Sequence, residues 1–157
     1  MAMAFWLAGL VVQAQIKGES KGDARVSEAL NEAKLQFTEL ANGNFRLHFT
    51  LDGDRTQLVF IDTKTSTMGI FEIRDVWAIG YQSTELPSQE VLAKLLTDSA
   101  TRKVGAWELH ENEGTYYALF NIKVAADCSG EGLKSILWAA AEVADAMEKD
   151  LLGTDDL

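Results

Sequence analysis

Between Leu35 and Leu51 apolar side chains fall at every second position in two runs: Leu35 and Phe37, then Phe45, Leu47, Phe49 and Leu51. A period of two puts those side chains on one face of a pleated strand and the polar residues between them on the other. This stretch is therefore half-buried sheet, not helix. Asn42-Gly43 and Asp52-Gly53 punctuate it, and both dipeptides accept the positive φ angles of tight turns, so antiparallel strands in meander order are expected. A third strand is expected over Thr56–Asp62, nearly continuous in Leu58, Val59, Phe60 and Ile61. The polar run Thr63 to Thr67 separates it from Met68 to Ile73, and Arg74-Asp75 then reads as a bulge or strand end before Val76-Trp77-Ala78-Ile79.

Elsewhere the period changes to that of a helix. Asp23 can cap a short helix whose Val26, Ala29, Leu30 and Ala33 share one face, ending near Lys34. Pro87, the only proline, precedes Val91, Leu92, Leu95 and Leu96 and predicts a helix over 87–98 with proline in its first turn. Trp107 and Leu109, a turn at Glu111–Gly114, and then Tyr116, Ala118, Phe120, Ile122 and Val124 predict a second hairpin. Ser129 can cap a long final helix with the stripe Leu133, Ile136, Leu137, Ala140, Val143, Ala144, Met147 and Leu151.

The expected fold class is α+β, an antiparallel sheet with helices packed on it in the order α-β-β-β(-β)-α-β-β-α. At 157 residues the chain has room for one such domain, placed at 23–157, and no repeat or linker inside it marks a second. Residues 1–22 form an apolar segment and a glycine-containing joint. Met1 to Val12 is too short to cross a bilayer as a helix, so no integral membrane span is expected. Ala4–Val12 resembles a signal-peptide core, with small residues around Val12-Gln13-Ala14, but no Lys or Arg precedes it. Cleavage after Ala14 implies a periplasmic or secreted protein; an uncleaved arm packed on the domain implies a cytoplasmic one.

Chemistry-bearing patterns are sparse. The net charge of −10 disfavours nucleic acid and anionic lipid as partners. Lone Cys128 makes no intramolecular disulfide, and with His48 and His110 it falls short of a zinc ligand set. Cys128 sits at a helix start, but Asp127 beside it opposes thiolate formation. Glu142, Asp145 and Glu148 recur every third residue on the last helix and read as its charged solvent face, not a metal site. Asp52-Gly53-Asp54 lacks the remaining ligands of a calcium loop. Phosphate-binding glycine loops and a Gly-x-Ser-x-Gly nucleophile are absent from the sequence. No catalytic residue, cofactor or metal is assigned. Aromatic side chains supply the best contact candidates: Trp107, Tyr117 and Trp138, the last at the edge of its helix's apolar stripe.

Several segments resemble the bacterial YbjN-like family: Arg55-Thr56-Gln57-Leu58-Val59-Phe60, Glu72-Ile73-Arg74-Asp75, Leu92 to Leu96, Lys103 to Leu109, Ala140 to Glu148 and Gly153-Thr154-Asp155. That family is similar to type III secretion chaperones, whose small α+β protomers pair as homodimers and bind extended segments of client proteins. The resemblance implies a non-enzymatic protein- or peptide-binding role, regulatory or chaperone-like, in a homodimer. Two other readings stand beside it. One is a small-molecule or enzymatic pocket built on His110 or Glu108 with the aromatic residues; the other is an exported structural protein of the envelope.

Overall fold

The first helix begins where the Asp23 side chain, on extended backbone, accepts the amide N–H of Arg25 at 3.0 Å. Helix α1 then spans Ala24–Glu32 and buries Val26, Ala29 and Leu30, the face its spacing predicts. The computed structural model describes residues 21–157. The signal-peptide question at Met1 to Ala14, and with it nearly all of the 1–22 segment, lies outside the described residues.

After α1 come β1 (Thr38–Glu39), β2 (Phe45–Thr50), β3 (Thr56–Ile61), β4 (Ser66–Met68), β5 (Phe71–Ser83), α2 (Gln89–Ser99), β6 (Ala106–Asn112), β7 (Thr115–Ala125) and α3 (Gly130–Leu151). All strand pairings are antiparallel, in the order β1-β2-β3-β5-β7-β6, and β4 pairs only with β5. The fold is thus α+β, as the patterning predicts. β3 and β4 lie along the same edge of β5 and act as one long strand interrupted by the polar residues 62–65.

Four details depart from the sequence reading. First, Leu35 and Phe37 precede the paired residues of β1: Leu35 N–H still closes α1 by donating to the Leu30 carbonyl, so the chain has not yet joined the sheet. Second, Arg74-Asp75 neither ends nor bulges a strand. β5 runs unbroken through it because each charge has a partner: Arg74 reaches Asp23 at 2.6 Å and Asp75 reaches Lys123 at 2.8 Å. The irregularity falls instead between Ile79 and Tyr81, at Gly80. A Cβ there would lie 2.5 Å from the Trp107 ring and 2.9 Å from the Ala144 carbonyl, so the bulge gives close approach to α3 and β6. Third, Pro87 stands before the helix, not in its first turn; Ser88 caps α2 by accepting the Val91 N–H at 3.3 Å. Fourth, of the α2 stripe only Leu95 is fully buried and Leu96 is exposed, because α2 touches the sheet along little more than β6.

One sheet face carries the core. Phe45, Leu47 and Phe49 of β2, Val59 and Ile61 of β3, Val76 and Ala78 of β5, and Ala118, Phe120 and Ile122 of β7 alternate inward. They meet Leu133, Leu137, Ala140, Ala141 and Ala144 of α3, with α1 packed beside α3. Small residues along α3 let the helix lie close to the sheet. Among the described residues no helix is long and apolar enough to cross a membrane.

Candidate interaction surface

Because α1, α2 and α3 all serve the inward face, the other face of the sheet is left without a covering element among the described residues. Strand register arranges that face in rows. Arg46, Phe60, Trp77, Asn121 and Ala106 follow one another across β2, β3, β5, β7 and β6. In the adjacent row His48 pairs with Leu58, and Ile79 pairs with Leu119, which pairs with Glu108. Further along, Gln82, Tyr117 and His110 make a third.

The middle of the face is apolar and ordered. Phe60 and Trp77 stack with ring centroids 4.3 Å apart and planes 15° from parallel. The Trp77 indole N–H donates to Asp62 Oδ1 at 3.0 Å, and Asn44 Nδ2 donates to the same oxygen at 2.9 Å. Leu58, Ile79 and Leu119 remain half-buried around the stack. Charged and polar groups sit at the rim: Arg46 and His48 on the β2 side, Glu108 and His110 on the β6 side. Lys123 bonds Asp75 at 2.8 Å and lies 3.8 Å from Glu108, and the Asp75 hydrogen bond raises its pKa against the opposing effect of burial. An apolar centre with a polar rim is the arrangement of protein contact surfaces.

The three aromatic candidates do not converge. Tyr117 lies on the open face. Trp107 points the other way, 8% exposed, packed on Phe120 at 5.3 Å with its indole N–H donating to Asp98 at 2.7 Å; it belongs to the core. Trp138 packs edge-on against Phe49 at 4.9 Å and lines a cavity of about 460 Å³ with Leu51, Arg55 and Asp145, on the helical side. The face itself was missed as a unit. Its signal is in the β3 sequence, where Leu58 and Phe60 are apolar on the side opposite Val59 and Ile61.

That cavity adjoins a dense charged cluster. Arg55 Nε donates to Asp145 at 2.6 Å, and its Nη2 lies 3.9 Å from both Glu148 and Asp155. Glu148 is fully buried, which corrects its assignment to a solvent face. Its Oε1 accepts the Thr154 hydroxyl at 2.9 Å and the Asp156 N–H at 2.6 Å, while Asp155 accepts the Thr56 N–H at 2.9 Å. Ligand oxygens of Asp145, Glu148 and Asp155 fall within 4.8 Å of one another, but the guanidinium of Arg55 already sits among them. The cluster fastens the C-terminal residues to α3 and β3.

The remaining chemical candidates are dispersed. His110 is solvated, its side chain 52% exposed and 3.0 Å from Glu108, so a pocket reading lacks its best residue. Burial pushes the Cys128 thiol pKa up and Asp127 adds to the shift, which works against a reactive thiolate. Comparisons with protein-family models, curated proteins and solved structures return no match to the chain.

Proposed function

We propose that this chain is a non-enzymatic protein- or peptide-binding module of the YbjN-like, secretion-chaperone-like kind, regulatory or chaperone-like in role and active as a homodimer. The observation that carries the reading is the uncovered sheet face, whose Phe60–Trp77 stack and surrounding Leu58, Ile79 and Leu119 form an apolar centre framed by charge. A sheet with helices on one side only leaves such a face for a partner. The outer edge of β6 adds a second means of contact: beyond Trp107, whose N–H donates to Ser99 Oγ of α2 at 2.9 Å, the strand has no partner on that side among the described residues and can extend the sheet by one client strand, where backbone hydrogen bonds give affinity.

The test uses the full chain and its Leu119→Lys variant as paired baits. Leu119 is half-buried on the open face, so lysine there places a charge in the apolar centre without touching the core. Proteins or peptides retained by the parent and lost from the variant, with far-ultraviolet circular dichroism unchanged, support the reading. Identical capture by both baits contradicts it.

A further inference from the structure

The far end of α3 gathers more acid than its guanidinium answers. Asp145 and Glu148 stand three residues apart on the helix, and Leu152 and Gly153 close it by donating their N–H groups to the Glu148 carbonyl. Gly153 takes φ +68°, the left-handed conformation that turns a chain out of a helix. Asp155 thereby returns beside both acids and accepts the Thr56 N–H of β3. Carboxylates from α3 and from the chain beyond it converge, with ligand oxygens within 4.8 Å of one another. Among the described residues all their ion pairs are with Arg55, so three carboxylates and one guanidinium leave two negative charges unmatched.

Arg55 is itself committed elsewhere. Its Nε donates to Asp145 Oδ1 at 2.6 Å, while its Nη2 stays 3.9 Å from Glu148 Oε2 and 3.9 Å from Asp155 Oδ1. Those two gaps are about 1 Å too long for a charged hydrogen bond. Glu148 is fully buried, and Thr154 and Asp156 satisfy its Oε1. Its Oε2 is enclosed as well, yet finds no hydrogen-bond donor among the described residues; Arg55 Nη2 is enclosed and unbonded in the same way. A buried carboxylate oxygen in that condition is costly, and buried charges are ordinarily paired or bound to a metal ion.

We propose that Asp145, Glu148 and Asp155 bind a hard divalent cation of the calcium kind. Charge, donor type and span agree. Two positive charges match the unmatched pair, with Arg55 remaining as counter-ion to the third carboxylate. All the donors are oxygen, the ligand calcium takes, and oxygens about 2.3–2.6 Å from one calcium ion lie up to roughly 5 Å apart across it. Glu148 Oε2 supplies the buried ligand, and Arg55 occupies only Oδ1 of Asp145. Asp155, its side chain 35% exposed, faces solvent on the other side and leaves coordination positions to water. The cavity beside Trp138 carries Asp52, Glu142 and Asp145 on its wall, an acidic approach that draws a cation inward. Because two ligands stand on α3 and one lies beyond its end, the ion clamps the last residues of the chain against the helix and β3.

Isothermal titration calorimetry of the full chain with calcium chloride tests the site, at an ionic strength of about 0.1 M, where diffuse attraction to an acidic surface is screened. The expected result is one ion per chain with Kd on the order of 0.1–1 mM, the range of weak calcium modules, and a thermal midpoint that rises with calcium. Glu148→Gln removes the charge but keeps an oxygen for Thr154 and Asp156, and Asp155→Asn keeps one for the Thr56 N–H. Each is expected to weaken binding by about tenfold or more with circular dichroism unchanged. Glu131→Gln makes the same charge change in the first turn of α3 and is expected to bind as the parent does. No saturable heat from the parent up to about 10 mM calcium chloride overturns the proposal. So does parent-like affinity in either ligand variant, or an equal loss in Glu131→Gln.

Discussion

The carboxylate of Asp23 holds the buried guanidinium of Arg74 at 2.6 Å while capping α1 through the Arg25 amide at 3.0 Å. One side chain thereby fastens the first helix to the middle of the sheet. Arg74 also donates to the Asp62 carbonyl at 2.9 Å, which pins the polar interruption between β3 and β4. Replacing Arg74 with alanine takes one donor from Asp23, which keeps Arg25, and leaves the Asp62 carbonyl without its bond from the guanidinium, a loss of about 1–3 kcal/mol for buried groups. Urea unfolding of Arg74→Ala is expected to show a cost in that range, and Asp23→Ala a similar one with the cap lost as well.

The same cluster makes the fold acid-sensitive. Hydrogen bonds from Arg25, reinforced by Arg74, hold the Asp23 carboxyl well below its ordinary 3.8, and Arg25 with Thr65 lowers Glu72 to about 2. Both groups bind protons less readily folded than unfolded, so their contribution is complete above the ordinary carboxylate range and is lost as pH falls through the folded values. Urea midpoints are expected to fall between about pH 5 and pH 2, and Asp23→Asn to flatten that dependence. An equally steep profile in the variant would remove Asp23 from the explanation.

Gly80 is the point at which the sheet admits its neighbours. A methyl group there meets the Trp107 ring at 2.5 Å and a backbone carbonyl of α3 at 2.9 Å, and the carbonyl cannot rotate away. Gly80→Ala is expected to cost about 1–3 kcal/mol, the range for overpacked cores, seen as a lowered thermal midpoint. A neutral substitution would mean that the bulge is looser than these contacts indicate.

Glu148 anchors the last residues of the chain by accepting from Thr154 and Asp156 at the end of α3. Glu148→Ala removes both bonds, at about 0.5–1.5 kcal/mol each. It is expected to speed amide exchange at residues 153–156 before any change in β7. Unchanged exchange there would show that the backbone bonds from Leu152 and Gly153 to the Glu148 carbonyl suffice.

What the sequence reveals depends on how local the cause is. Strand alternation from Phe45 to Leu51 and the caps at Asp23 and Ser129 act over a few residues, and the helices and most strands follow from them. Arg74-Asp75 misleads because its charges are answered by Asp23 and Lys123, each about fifty positions away in the chain. Glu148 misleads for a related reason: helical spacing places it on the polar side, and only the returning C-terminal residues bury it. Of the aromatic contact candidates, Tyr117 reaches the open face by parity alone, whereas Trp107 is drawn inward by Gly80 and Asp98. The apolar character of Leu58 and Phe60 is visible in the sequence as an unbroken run, but a run of that kind does not say which of its two sides remains uncovered.

The account rests on a homodimer whose open sheet face stays free for a client. Light scattering over a micromolar concentration series reads this most directly, with Leu119→Lys run beside the parent. The expected result is a mass of twice the 17.2 kDa chain for both. A parent that stays at the mass of one chain at the highest concentration, or a variant that falls to it, would contradict it.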